Sequence, residues 1–151
     1  MCFFFQAEDG IRNLVRSRGL GEVYKRQVAM SPIGPEHGGI VDQLAAILIK
    51  QLGDRAVIKV QGSLHLDEST EPQPDLIMLE PRRDYYKRSL PHPADVALVI
   101  EVADSSLAYD RAIKMPLYAS AGVPEAWIVN LIDRWIEAYR DPSAAGYTTP
   151  V

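Results

Sequence analysis

The sequence predicts one α/β domain built on a mixed central β-sheet, and three observations carry that reading. Two windows have helical character, 36–52 and 104–120, and each is followed by glycine. Short apolar windows of strand length lie around them, so the order is helix, strands, helix, strands, with no internal repeat or linker. One strand window, Asp95 to Val102 (DVALVIEV), is apolar on both faces, which marks a strand in the middle of a sheet. At 151 residues, with 47% hydrophobic and 24% charged, the chain can bury one core and is too apolar for disorder. No apolar run approaches the roughly 18–20 residues that span a bilayer, so a membrane partner is not expected. The only Cys, Cys2, excludes an internal disulfide and a thiolate zinc site; it fits a reducing compartment, and the expected location is cytoplasmic.

Taken in order, Met30 to Pro35 is a turn-rich entry. Glu36 to Leu52 then places Ile40, Leu44, Ile47, Leu48 and Leu52 at helical spacing, and Gly53-Asp54 ends the helix. Ala56 to Val60 and Ser63 to Leu66 read as strands interrupted at Gly62, followed by a polar loop from Asp67 to Pro74. Asp75 to Leu79 is a short apolar strand behind a Pro-Asp pair, and Pro81 to Pro93 is a polar, aromatic and basic surface loop. After the central strand, Asp104-Ser105-Ser106 offers N-cap chemistry for a helix running to Ser120, which Gly122 and Pro124 stop. Ala126 to Val129 and Trp135 to Tyr139 are two further strands about a turn, and Gly146-Tyr147-Thr148 opens another.

Residues 1–27 stand apart in composition. They carry five basic and three acidic residues, a net +2, whereas the remaining 124 carry 11 basic and 17 acidic, a net −6. The apolar head, Cys2 to Phe5, is followed by acids and then bases, the reverse of a secretory signal. Gly10, Gly19 and Gly21 break every helical window, and a nucleic-acid-binding arm would show denser basic clustering. The string FFFQAEDGIR…LVRSRGLG-VYKRQ resembles translated sequencing-adapter read-through from environmental DNA. On that resemblance, 1–27 is expected to be a non-native disordered segment and 28–151 a partial domain.

Two carboxylates and one lysine are the candidates for chemistry. Asp75 opens an apolar strand and Glu101 interrupts the central strand near its end. A buried carboxylate is costly unless paired or bound to a cation, and two on neighbouring strand ends repel. A divalent cation resolves that repulsion, and an oxygen-rich site suits Mg²⁺ or Mn²⁺. Asp110, Lys114 and Tyr118 fall at i, i+4 and i+8 on one helix face, which aims an ammonium toward Glu101. Spacing alone also fits solvated surface features, an acid at a strand end and an Asp-Lys helix pair. His37, at a helix start, reads first as a local cap, Ser105 and Ser106 as caps, and His65 and His92 as unrelated residues. No Gly-x-Ser-x-Gly elbow and no Gly-rich phosphate loop occurs.

Met30-Ser-Pro-x-Gly-Pro-Glu-His37, Gln61, Glu71-Pro-x-Pro-Asp75, Val99-Ile-Glu-Val-Ala-Asp-Ser-Ser106, Asp110-x-x-x-Lys114-x-x-x-Tyr118 and Ala121-Gly-Val-Pro-Glu-x-Trp127-Ile-Val together resemble the Uma-type (Uma-two) family of restriction-endonuclease-like proteins, over 28–151 in order. The resemblance implies the PD-(D/E)XK nuclease fold, a restriction-endonuclease-like mixed sheet flanked by helices, with Pro74-Asp75 as the PD element and Glu101 as the second acid. It further implies a Mg²⁺-dependent (or Mn²⁺-dependent) endonuclease acting on DNA. Asp75, Glu101 and the Val102 carbonyl would hold the metal, and Lys114 would orient or help deprotonate water. Glu36, His37, Gln61 and Asp110 would surround these groups.

The sequence departs from the superfamily pattern at Ala103, where a lysine is expected two positions after Glu101; Lys114 is the substitute. Both ends read as clipped, since the family's entry segment is overwritten by 1–27 and the chain stops within a strand pattern, so exposed edges predict low stability or aggregation. Arg82, Arg83, Lys87 and Arg88, interleaved with Tyr85 and Tyr86, read either as a solvated loop or as a patch contacting a nucleic-acid strand. A homodimer is an open expectation, because nucleases that cut both strands often pair symmetrically. Two other functions stay open: a nuclease-derived binding or regulatory module without catalysis, for which Ala103 speaks, and an interaction domain unrelated to nucleic acid, for which the acidic balance speaks.

Overall fold

The computed structural model describes residues 34–148; the 1–27 segment and the first four residues of the 30–35 entry lie outside the described residues. The helix α1, Pro35–Leu52, starts with Pro at the first helical position, where a missing N–H costs nothing, and ends at Gly53. Six strands follow: β1 Val57–Val60, β2 Leu76–Leu79, β3 Val96–Ala103, β4 Glu125–Asn130, β5 Trp135–Ser143 and β6 Gly146–Thr148. They form one sheet in sequential order, in which β3 and β4 are parallel and every other pair is antiparallel. The sheet is therefore mixed. The parallel step needs a crossover, and a helical run from 107 to 120, here α2, supplies it.

Strand alternation divides the core into two layers. Leu76, Leu98, Ile100 and Val102 face Val41 and Ala45 of α1. Ile77, Val99, Ala103, Ala126 and Ile128 face the other way, onto Leu107, Met115 and Tyr118 of α2. Because the side-chain period is two, Glu101 falls on the α2 face with Val99 and Ala103. The β3 run is buried along nearly its whole length, as a central strand covered on both faces must be. Among the described residues, no helix is long and apolar enough to cross a membrane.

Two elements differ from expectation. The 63–66 window is not a strand: β1 ends at Val60, before Gln61 with its φ of 49°, and the chain continues as an irregular ribbon. Leu64 N–H donates to the Pro72 carbonyl at 2.9 Å and Leu66 N–H to the Thr70 carbonyl at 3.0 Å. The opposite side of that ribbon carries Pro72 and Pro74, which have no N–H to return, so a regular ladder cannot form.

The second difference lies in α2. Its backbone is α-helical over Leu107–Tyr109 and Met115–Ser120, but Asp110–Lys114 forms a π turn, with Met115 N–H donating to the Asp110 carbonyl. Pro116 explains it. An α-helix through this position would need an N–H from residue 116 and would drive the proline ring into the carbonyl four residues back; widening the preceding turn relieves both. The serines do not cap α2 either: the Ser106 hydroxyl donates instead to Asp110 Oδ2 at 2.6 Å.

A buried network ties α2 to the β4–β5 hairpin. Glu137 on β5 accepts from Arg111 Nε and Nη2, from Asn130 Nδ2 at 3.1 Å, from Trp135 Nε1 at 3.2 Å and from the Tyr139 hydroxyl at 2.8 Å. These donors, Arg111 foremost, hold the Glu137 carboxyl at about 2. A folded-state value below the ordinary 4.5 contributes stability that is present above pH 4.5 and is lost as pH falls through about 2. Wild-type protein is thus expected to lose about 1–3 kcal/mol across this window, after discounting for solvent at Arg111, and Glu137→Gln to lose less. Urea titrations at pH 5 and pH 3 check it; equal slopes for the two proteins would refute it.

Candidate functional site

The candidate residues meet at the end of the sheet, between the N-terminus of α1 and the body of α2. Leu76 pairs with Ile100 in antiparallel register, so Asp75, one residue before β2, lies opposite Glu101. Asp75 Oδ2 accepts from Val102 N–H at 2.8 Å, and its Oδ1 lies 3.1 Å from His37 Nε2. A strand residue's N–H and C=O leave on the same edge, so the Val102 carbonyl also faces the Asp75 side. The Ala103 carbonyl takes the opposite edge and accepts from Leu131 N–H at 2.9 Å.

Glu101 is only 2% exposed, and both of its side-chain hydrogen bonds come from α2. Its Oε2 accepts from Lys114 Nζ at 2.9 Å and its Oε1 from the Tyr118 hydroxyl at 2.6 Å. Lys114 Nζ also lies 3.0 Å from Asp110 Oδ1, an ion pair outside hydrogen-bond alignment, which leaves that buried oxygen with unfilled acceptor capacity. Burial pushes the Glu101 carboxyl up to about 7 against the pull of Lys114, and the charges of Asp75 and Asp110 add to the rise. Burial pulls on Lys114 in the opposite sense, but Glu101 and Asp110 overcome it and hold the ammonium above the usual lysine value. Lys114 is therefore a fixed cation and a donor. The His37 imidazole is raised as well, first by its hydrogen bond to Asp75.

Of the sequence-predicted residues, Asp75, Glu101, Val102, Lys114, His37 and Asp110 converge. His37 is not a local cap; it reaches a carboxylate 38 positions away. Gln61 joins through its backbone, donating to the Asp75 carbonyl at 2.9 Å. Glu36 is exposed in the first turn of α1 and has no ion-pair partner among the described residues. Arg82, Arg83, Lys87 and Arg88 belong to the loop between β2 and β3 and are not part of this cluster. Tyr118 received no role from the sequence beyond its place on the helix face; it is fully buried with its hydroxyl on Glu101. A tyrosine at i+8 from an acid and i+4 from a lysine was the available signal. His65 and His92, read as unrelated, pack edge to face with ring centroids 4.8 Å apart.

Among the described residues no group of three His, Cys, Asp or Glu side chains is gathered as a metal cage. The donor set is nevertheless of the hard-cation kind: two carboxylates, a backbone carbonyl on the same edge and an under-satisfied buried carboxylate oxygen beside them. A carboxylate oxygen that accepts one hydrogen bond keeps a second lone pair, so His37 and Lys114 do not exhaust Asp75 and Glu101. These residues fit Mg²⁺ or Mn²⁺ better than zinc, which favours imidazole and thiolate.

A mixed sheet covered by a helix on each face, with acids from adjacent strands and a lysine from the crossover helix meeting at the strand ends, defines a restriction-endonuclease-like α/β protein. The chain belongs to the Uma2 family, described as "Putative restriction endonuclease", whose family model matches residues 21–151. A crystal structure from Anabaena variabilis ATCC 29413, titled as that of "a putative nuclease belonging to DUF820", shares the fold with a TM-score of 0.59 at 14% identity. The alignment covers 76% of this chain and 66% of that one. No curated protein matches.

Proposed function

We propose that this domain is a metal-dependent nuclease of the PD-(D/E)XK type, hydrolysing phosphodiester bonds in DNA. The observation that carries the reading is the convergence of Lys114, Tyr118 and the Asp75 strand end on the buried Glu101. Asp75, Glu101 and the Val102 carbonyl would hold Mg²⁺ or Mn²⁺, and a bound cation supplies Lewis-acid polarisation of the phosphate and a more acidic water. The protein's own part is positioning. Val102 N–H and His37 fix the two oxygens of Asp75, and Lys114 and Tyr118 fix those of Glu101. Lys114 donates to Glu101 Oε2 and is raised against burial by Glu101 and Asp110, which supports the orienting one of its two expected roles.

The test is nicking of supercoiled plasmid with Mg²⁺ or Mn²⁺. Asp75→Ala is expected to lose at least about 10²-fold of the rate, the scale of removing one transition-state contact. Undiminished cutting by that variant would end this assignment. A second reading, a binding module without cleavage, is favoured by Ala103 standing two residues after Glu101. DNA binding indifferent to metal and to Lys114→Ala would select it.

A further inference from the structure

The loop between β2 and β3 separates the four basic residues predicted from the sequence into one scaffold residue and three outward cations. Arg82 forms a two-pronged ion pair with Asp84, Nε to Oδ1 at 2.6 Å and Nη2 to Oδ2 at 3.0 Å. Its guanidinium also lies 4.0 Å from the centroid of the Tyr86 ring. Tyr86 is buried in the α2-side layer, and its hydroxyl donates to the Glu80 carbonyl at 2.8 Å. Arg82 is thereby committed within the loop. Arg83, Lys87 and Arg88 are exposed, and none has an ion-pair partner among the described residues.

Tyr85 is the feature that the fold leaves without a task. It is 60% exposed, the neighbouring Tyr86 fills the core position, and both residues have left-handed backbones, with φ of 52° and 59°. Aromatic residues rarely adopt this region and glycine does so freely, so the chain keeps an exposed ring where folding favours none. Asp84 Oδ1 receives Tyr86 N–H at 3.2 Å, Tyr85 N–H donates to the Arg82 carbonyl at 3.0 Å, and Lys87 N–H to the Asp84 carbonyl at 3.0 Å. These bonds hold the ring outward among three free cations. Tyr86 packs in the layer of Ile77, Val99 and Tyr118, the face from which Glu101 projects, while the loop itself joins the end of β2 to the start of β3, at the opposite strand end from Asp75 and Glu101.

We propose that this loop binds a single-stranded nucleic-acid segment, with Tyr85 stacking on an unpaired base and Arg83, Lys87 and Arg88 contacting the phosphates beside it. The proposal rests on the nuclease reading for its ligand class and narrows it. A closed duplex offers the cations its phosphates but offers the ring no base face, whereas a single strand offers both.

The experiment is fluorescence anisotropy of the whole chain with a labelled single-stranded oligonucleotide and with the same sequence as a blunt duplex, in chelator, so that binding is read without cleavage. Single-strand affinity is expected to exceed duplex affinity by at least about 10-fold. Tyr85→Ala should weaken single-strand binding about 5- to 100-fold, with duplex binding unchanged and Tyr85→Phe close to wild type. Tyr85→Gly should lose the same affinity while melting higher than wild type, a pairing that misfolding cannot produce. Arg83→Ala and Lys87→Ala should each weaken both ligands and lower the single-strand salt slope by roughly 0.7. Unchanged single-strand binding in Tyr85→Ala, equal affinity for duplex, or binding to phosphatidylserine vesicles in place of oligonucleotides would overturn the proposal. Loss of plasmid nicking with this binding pattern intact would count against the nuclease reading alone.

Discussion

Glu101→Gln is expected to abolish plasmid nicking, a loss of at least about 10²-fold, and yet to give a metal-free protein that melts higher than its parent at pH 8. The amide keeps the shape of the carboxyl and can still accept from Lys114 while donating to the Tyr118 oxygen; the Tyr118 O–H gives up its acceptor, which offsets part of the gain. Lys114 retains Asp110 as its counter-charge. What the substitution removes is a buried charge. In the metal-free protein the Glu101 carboxyl sits at about 7 against an ordinary 4.5, so between these values the folded state holds a proton that the unfolded chain has released. The stability associated with Glu101 is complete below pH 4.5 and declines as pH rises through about 7. Glutamine does not titrate, and the decline should vanish, for a gain on the order of 1–3 kcal/mol at pH 8. Thermal melts in chelator at pH 5 and pH 8 read this directly. A variant that melts below wild type at pH 8 would show that Glu101 is a structural ion pair and not a strained functional acid.

Lys114→Met should have the opposite effect on folding. It removes the one ammonium that, among the described residues, pairs with Glu101 and Asp110, both almost wholly buried. Breaking a buried ion pair from one side costs about 3–5 kcal/mol, because the remaining charge is neither solvated nor compensated. The Glu101 carboxyl can escape part of that cost by taking up a proton. Its folded-state value then rises further above the unfolded one, so the destabilisation should be larger at pH 8 than at pH 5. Combining Lys114→Met with Glu101→Gln removes one of the stranded charges and should recover part of the loss, a coupling that a double-mutant cycle in urea measures. Additive effects would mean that the two side chains do not interact in solution as they do in the fold. The same variant also probes the displaced lysine. If Lys114 only pairs with Glu101 for stability, nicking per folded molecule should survive its removal.

How much of this was legible beforehand differs element by element. The central strand announced itself, because the window from Asp95 to Val102 is apolar on both faces, and the strand found, Val96–Ala103, is shifted from it by one residue. The mixed sheet followed from the order of the elements and its flanking helices from the family resemblance, whereas the sequential strand order is visible only in the fold. The π turn did not, although Pro116 was visible; a proline says that the ladder must break and leaves open whether a kink, a stop or a widened turn results. The 63–66 window was misread because its own residues are strand-like, while the defect lies in Pro72 and Pro74 across the ribbon, a non-local constraint.

At the site, Asp75, Glu101 and Lys114 could be named from spacing and resemblance, since each is tied to a local pattern: a Pro-Asp strand opening, an acid in an apolar strand, and a lysine at helical distance from an acid. By itself the sequence determined a mixed α/β sheet and the helix face that Asp110, Lys114 and Tyr118 share, because strand and helix periodicities fix which side chains share a face; Asp75 and Glu101 stood out as a pair through the resemblance. Only the tertiary structure decided that His37 reaches Asp75, that Tyr118 closes on Glu101, and that Arg82 is tied to Asp84 and Tyr86 while Tyr85 stands outward. The first two depend on which strand ends meet which helix, and the last on the left-handed backbone at Tyr85 and Tyr86. Contact across 38 or 17 positions is set by how layers pack, and no local periodicity encodes it.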